Sequence, residues 1–345
     1  MSRLQIALDA MGGDRGPAPV VAAAALALPR LPDVDFVLVG RQEELEPLLA
    51  AARLRGHERI RLVPAAEVVG MAESPAWALR NKKQSSMRVA IDLHRSGEVD
   101  AVVSAGNTGA LMATARFVLK TLPGIDRPAI VSEVPTQGER TYLLDMGANT
   151  ECTPEQLYQF AVMGAVLAQA VHGLERPKVA LLNIGQEELK GVEAVRQAGQ
   201  LLRGSELNYV GYVEGDGIYA GEVNVVVCDG FAGNIALKSS EGLARLLGQD
   251  LRSAFTRNLY ARCAALVAYP VLRRVRERMD PRAYNGASLL GLRGIVIKSH
   301  GGADEVAFAH AIEIAAVEAR HNLPARIGDR IALALGGAQA RQESS

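Results

Sequence analysis

Val102-Val103-Ser104-Ala105-Gly106-Asn107-Thr108-Gly109 carries a short apolar strand into a turn of small polar residues, and Ala110-Leu111-Met112-Ala113 continues as a helix. The same grammar recurs at Ile6-Ala7-Leu8-Asp9-Ala10-Met11-Gly12-Gly13-Asp14 and at Val226-Val227-Cys228-Asp229-Gly230-Phe231-Ala232-Gly233-Asn234. Strand, glycine turn and helix in succession are the repeating unit of a parallel sheet covered by helices on both faces. In such a sheet the carboxyl ends of the strands converge on one edge. Glycine lets the backbone approach a ligand there, and helix N-termini offer free N–H groups to an anion. Three such turns predict one anion-binding cleft.

Working outward, Val, Ile and Leu runs predict strands near residues 3–9, 34–40, 60–63, 99–104, 141–145, 178–184, 207–213, 223–228 and 294–299. Helical periodicity falls between them, notably at 75–96, 107–121, 153–173, 187–203, 231–257 and 303–322. No linker divides the chain, so residues 1–335 are expected to form one large α/β domain, and the small, polar residues 336–345 a disordered tail.

The bulk composition narrows the function. With 38 basic and 38 acidic side chains there is no overall field to hold nucleic acid, so any charged partner is met locally. Cys152, Cys228 and Cys263 have neither zinc-ligand spacing nor a disulfide pattern, which fits a reducing cytoplasm. Neither a signal peptide nor a run of about 20 apolar residues is present, so a protein that is neither secreted nor membrane-spanning is expected. One segment departs from neutrality. Residues 251–282 hold eight arginines against Glu277 and Asp280, around the apolar run Ala264 to Leu272 with Pro270 inside it. Such a segment suits an anionic membrane surface, an acidic protein or a subunit interface, and equally a helix pair with a solvated face.

Several stretches carry candidate chemistry. Asp9 and Asp14 flank the first glycine pair and either orient a cation or hydroxyl or, for Asp14, cap the next helix. Ser104 and Thr108 lack a Gly-x-Ser-x-Gly elbow and a neighbouring His, so they read as donors to a ligand, not as nucleophiles. Lys82, Lys83, Ser85 and Ser86 lie within five positions; adjacent lysines do not share a helix face, so at most one reaches a cleft. Asn183-Ile184-Gly185-Gln186-Glu187-Glu188-Leu189-Lys190-Gly191 repeats the strand-to-turn pattern with a lysine, and Ile295-Val296-Ile297-Lys298-Ser299-His300-Gly301-Gly302 ends a strand with Lys, Ser and His. A His at such a turn is a candidate acid, base or anion donor, or simply caps the turn. Gly211-Tyr212-Val213-Glu214-Gly215-Asp216-Gly217 mimics a nicotinamide fingerprint, but it leads into a strand where a helix is required, so it is discounted.

Taken together and in this order, the turns at 8–14, 104–109 and 228–234, the stretch 82–87, Arg127-Pro128-Ala129-Ile130, Asp145-Met146-Gly147-Ala148-Asn149, Asn183-Ile184-Gly185 and residues 280–304 closely resemble the bacterial phosphate acyltransferase family (acyl-ACP:phosphate transacylase) of phospholipid synthesis. The resemblance runs from residue 4 to about 335. It implies a Rossmann-like three-layer α/β/α fold similar to phosphotransacetylases and isocitrate dehydrogenases, with a protruding helical segment. It also implies transfer of a long-chain fatty acyl group from acyl carrier protein to inorganic phosphate, in a homodimer that associates peripherally with the membrane. No cofactor or metal is implied.

The chemistry of the residues agrees with that activity. Phosphate is itself the nucleophile, so no acylated Ser or Cys is needed, and a thiol leaves a thioester without strong acid assistance. The protein has mainly to position two substrates and stabilise charge on the carbonyl oxygen. On this basis Lys190, Lys298 and His300 are expected to hold phosphate or the oxyanion, with Asn107 and Asn234 as neutral donors and Asp229 orienting one of the cations. Asp9, Gly12, Gly13 and Asp14, then Ser104, Gly106, Asn107, Thr108 and Gly109, are expected to line the substrate site. Lys82, Lys83, Ser85, Ser86, Asn183 and Asn234 complete it. Leu259, Arg262, Leu266, Val267, Arg273 and Arg274 are expected to meet lipid or carrier protein. The rival activities are a short-chain phosphotransacetylase using acyl-CoA, a dehydrogenase on a related fold, and a non-catalytic membrane-surface scaffold.

Overall fold

The computed structural model describes residues 3–278 and 280–342, with the side chains of 275–278 and 335–342 left aside. One sheet carries the fold, in the order β3-β2-β1-β4-β11-β10-β5-β6-β9-β7-β8. Its strands are β1 (Leu4–Asp9), β2 (Val34–Gly40), β3 (Ile60–Pro64), β4 (Ala101–Ser104), β5 (Ala129–Val134), β6 (Thr141–Leu144), β7 (Lys178–Leu182), β8 (Asn208–Val213), β9 (Val225–Val227), β10 (Ala287–Leu290) and β11 (Ile295–Lys298). Strand residues alternate between two buried faces: Ile6, Leu8 and Val103 pack one way, Ala7 and Val102 the other. This is why the strands read as continuous apolar runs.

The helices form the two outer layers. On one face lie α1 (Ala18–Ala27), α2 (Gln42–Ala51), α6 (Pro154–His172), α7 (Glu193–Arg203), α10 (Glu305–Arg320) and α11 (Leu323–Gln342); on the other lie α4 (Ser86–Ser96), α5 (Thr108–Leu119) and the start of α8 (Gly230–Thr256). The short α3 (Pro75–Asn81) packs on α5. Fully buried Phe36, Phe160 and Phe308 anchor these layers, each contributing about 1.5–3 kcal/mol of burial.

Seven of the ten strand pairings are parallel. The other three are antiparallel and sit in the middle, where β11 meets β10, β10 meets β5, and β5 meets β6. Three reversals make β6, β9, β7 and β8 run opposite to β3, β2, β1, β4 and β11. The sheet therefore has two parallel halves whose strands end at opposite edges. The expectation of one edge is corrected here. Its cause is local: β5 and β10 are the two strands missing from the sequence reading, β5 with its apolar run interrupted by Ser132 and Glu133 and β10 four residues long with Ser288 inside it.

Other expectations are adjusted in detail. The helix expected over 75–96 is two helices, broken at Lys82 to Ser85, where Ser85 accepts the Arg88 N–H and caps α4. Pro270 lies inside α9 (Leu259–Arg278), which continues past it. Backbone from 336 to 342 extends α11, where a disordered tail was expected, because Ala, Gln and Arg propagate a helix already formed; residues 343–345 lie outside the described residues. The distal part of α8 pairs with α9, and Leu259, Leu266 and Val267 there are 77–84% exposed. No helix among the described residues is long and apolar enough to cross a membrane.

Candidate active site

Asp9, Ser104 and Lys298 end β1, β4 and β11 in one row, since Asp9 is in register with Ser104 and Ser104 with Lys298. The Ser104 hydroxyl donates to Asp9 Oδ2 at 2.6 Å, and Asp9 Oδ1 has no hydrogen-bond partner. Burial raises the Asp9 carboxyl above its usual range; Ser104, Ser86 and the N–H groups of Met11 and Gly12 oppose the shift without outweighing it. Asp9, expected from the sequence to contact substrate, is only 1% exposed and lies beneath the surface.

Lys298 is the chemically distinctive residue of this edge. Its Nζ donates to the carbonyls of Ala105 (3.4 Å) and Ser299. Burial lowers its pKa to about 8, against the pull of Asp14 and Asp9 and with a further push from Lys238. Lys238 lies on α8, two turns beyond Gly230, and pairs with Glu241 at 2.9 Å. It is a cation that sequence reasoning missed, because only the path of α8 back along the sheet brings it near Lys298.

The turns around this row interlock. The Asp14 N–H donates to Gly301 O at 2.8 Å and the Ser299 N–H to Ser104 O at 2.8 Å. A methyl group on Gly12 would stand 2.7 Å from Asp9 Oδ2 and 2.8 Å from Gly106 N; one on Gly13, whose φ is +96°, would stand 2.9 Å from Gly301 O. These glycines are needed for turn-on-turn packing. Asn285, also unforeseen, fixes the last turn: Nδ2 donates to Ser299 Oγ (2.9 Å) and Ala307 O (2.6 Å), and Oδ1 accepts the His300 N–H (2.8 Å). His300 itself is exposed. Its Nδ1 accepts the Gly302 N–H at 3.0 Å, so the neutral ring carries its proton on Nε2, as a donor.

The neighbouring polar residues are mostly spent on structure. Asn107 caps α5 by accepting the Ala110 N–H at 3.0 Å, and its Nδ2 donates to Met71 O (2.8 Å) and Glu73 O (3.1 Å). It is thus not the free donor expected. Ser85 is a helix cap that also donates to Lys82 O at 2.8 Å, Ser86 serves Asp9, and both are buried. Lys82 is half-buried with Nζ 5.6 Å from the Trp77 ring centre, and Lys83 is exposed. Thr108 and Gly109 lie exposed at the N-terminus of α5.

The opposite edge holds the rest. Asp145, which follows β6 and is fully buried, accepts five hydrogen bonds: from the N–H groups of Ile130, Gly147, Ala148 and Asn149 and from Asn149 Nδ2. Asp229 accepts the Ala232 N–H at 2.8 Å and caps α8; among the described residues it makes no ion pair, so the orienting role expected of it is corrected. Asn234 is exposed beside Gly147. Asn183 Nδ2 is taken by Gly185 O and Lys190 O, both at 3.1 Å, which leaves no donor for a ligand. Lys190 pairs with Glu187 at 2.8 Å, both about half-exposed or more, and sits at this edge, apart from Lys298 and His300. The three candidate cations therefore do not form one cluster. Burial pushes the Cys152 thiol up to about 12 and the Cys228 thiol well up, so neither is a thiolate nucleophile. Gly211 lies within β8 and Gly217 opens a three-residue 3-10 turn, not a helix, in line with discounting the nicotinamide pattern.

A cavity of about 240 Å³ lies away from both edges, beneath α6 and α10. Glu318 in its wall receives one hydrogen bond, from Ser288 at 3.0 Å, and burial pushes its pKa up to about 8.

The family described as "Fatty acid synthesis protein" matches residues 4–326. Among curated proteins, the chain is 60% identical over 326 residues to a phosphate acyltransferase of Alkalilimnicola ehrlichii, covering 94% of this chain and 95% of that one. It is 58% identical over 336 residues to a phosphate acyltransferase of Halorhodospira halophila, covering 97% and 98%. In fold it is similar to a phosphotransacetylase from Streptococcus pyogenes, with a TM-score of 0.64 at 19% identity over 92% of this chain and 94% of that one.

Proposed function

Because the chain belongs to the fatty acid synthesis protein family, together with its curated phosphate acyltransferases, we propose that it is an acyltransferase that moves a fatty acyl group from acyl carrier protein to inorganic phosphate for phospholipid synthesis. The observation that carries the site assignment is the desolvated cation Lys298 at the joint of three strand-end turns. A second cation, Lys238, lies near it, and the Nε2–H of His300 and the N-terminus of α5 are exposed at the same edge. Phosphate sits among these groups. One phosphate oxygen attacks the thioester carbonyl, the C–S bond breaks, and the carrier leaves as its thiol with a proton from solvent. Positive charge and N–H dipoles offset the charge on the carbonyl oxygen as it grows, more strongly than in water because Lys298 is desolvated. Asp9 and Asn285 position Lys298 and His300 and touch no substrate.

The exposed apolar residues Leu259, Leu266, Val267 and Val271, set in the arginine-rich segment 251–282, fit a second copy of the chain and an anionic membrane surface, so a homodimer with peripheral membrane contact belongs to the same proposal. The test is to incubate the protein with palmitoyl-acyl carrier protein and labelled phosphate and to look for hydroxylamine-sensitive acyl phosphate. Its formation supports the reading. Activity confined to acetyl-CoA moves the chain to short-chain phosphotransacetylase, and no activity on either favours a scaffold.

A further inference from the structure

A second basic and apolar surface lies on α3 and α5, at the mouth of the Lys298 edge, on elements other than the α8–α9 pair. It begins at Met71, whose carbonyl receives Asn107 and whose Cε would meet a methyl group on Gly301 at 2.8 Å. It continues through Pro75, which packs on Gly109, to Trp77 on α3 and Phe117 on α5, exposed by 48% and 54%. Phe117 is nine residues along α5 from Thr108, roughly 14 Å at helical rise. Residues 71–88 and 116–120, which span this surface, contain six cations, Arg80, Lys82, Lys83, Arg88, Arg116 and Lys120, against one acid, Glu73. Among the described residues only Arg88 of the six meets a carboxylate, Asp92 at 2.8 Å. Three of them lie over the aromatic rings: Lys82 over Trp77, and Lys120 (4.8 Å) and Arg88 (5.8 Å) over Phe117.

We infer that the acidic carrier protein docks on this α3–α5 surface, and not on segment 251–282. The inference rests on the proposed acyl transfer. Its own basis is complementarity: unneutralised cations around two exposed aromatic rings fit an acidic protein with a small apolar contact. Location adds to this, because a carrier seated there stands beside the strand-end turns that its thioester must reach, while segment 251–282 remains free for lipid or a second copy.

The test compares wild type with R80E/R116E and, separately, F117A, on two donors: palmitoyl-acyl carrier protein and palmitoyl-pantetheine, which carries the thioester without the protein. The expected result is a fall of about tenfold in kcat/KM for the carrier-bound donor at low salt, with kcat and the pantetheine reaction unchanged and a weaker salt dependence. Equal losses on both donors, or no loss on either, overturn the docking site while leaving the acyl-transfer reading intact. Unchanged carrier kinetics with lost binding to phosphatidylglycerol vesicles also overturn it and make the surface a lipid contact. A wild type that forms no acyl phosphate from either donor overturns the functional reading and the docking site with it.

Discussion

Lys298 closes an apolar strand and Lys190 lies in the turn that follows one, and the two differ in exposure and in partners. Lys298 is 9% exposed, held by two carbonyls and flanked by Asp9 and Asp14; Lys190 is open to solvent and neutralised by Glu187. The difference comes from the direction of the parent strands. Strands β11 and β7 belong to halves of the sheet that run oppositely, so the two lysines are delivered to unequal edges. One edge gathers exposed cations and helix N–H groups around a desolvated lysine. The other spends its polar groups on its own turns, with Asp145 as their hub.

Five experiments can break or sharpen that contrast. The largest effect is expected from Lys298→Met, which should lower kcat/KM for acyl phosphate formation by about 10²–10³-fold at unchanged thermal stability, the range for loss of one charge-stabilising donor. Asp145→Ala should act in the opposite way. It removes the acceptor of five buried hydrogen bonds and should destabilise the fold by more than about 3 kcal/mol in denaturant titration, while any folded fraction keeps its turnover. Loss of turnover without loss of stability would move chemistry to that edge.

His300→Ala should reduce turnover by about tenfold, since it removes one exposed hydrogen-bond donor from the edge. The pH profile tests the buried cation directly. Lys298 holds its proton below about 8, so kcat/KM should fall as pH rises through that value, and a flat profile to pH 10 would remove Lys298 from the reaction. Lys190→Ala should change turnover by less than about threefold, because an exposed ion pair contributes little. A larger loss would rejoin the two edges.

Glu318 separates burial from function, being buried without a place at either edge. Its folded pKa of about 8 stands above its ordinary value, so the native state keeps a proton that the unfolded chain releases. That contribution to stability is complete at acid pH and is lost as pH rises toward 8. Glu318→Gln should therefore raise the melting temperature at pH 8 by a few degrees and by less at pH 5, with activity unchanged.

Much of this was legible in the sequence, because nine strands announce themselves by apolar runs and their turns by glycine. What stayed hidden has definite causes. The apolar runs of β5 and β10 are interrupted by Ser132, Glu133 and Ser288, so they do not stand out, yet they alone reverse the sheet. An asparagine that caps a helix, as Asn107 does, looks the same in sequence as one awaiting a ligand. Lys238 carries no local signal at all, because its place depends on how far α8 travels back along the sheet. Asn285 is set by β10, so it vanished from view with that strand.

The interlocked glycines also bear on how such a protein can change over time. Gly12 and Gly13 leave no room for even one methyl group against the facing backbone where the turns meet, so this edge resists gradual drift. New donor or chain-length preferences must then arise elsewhere. The exposed helices α3 and α5 and the outer turns of α8 accept substitution one residue at a time, which makes them the ground on which related enzymes can diverge and where directed evolution should spend its library.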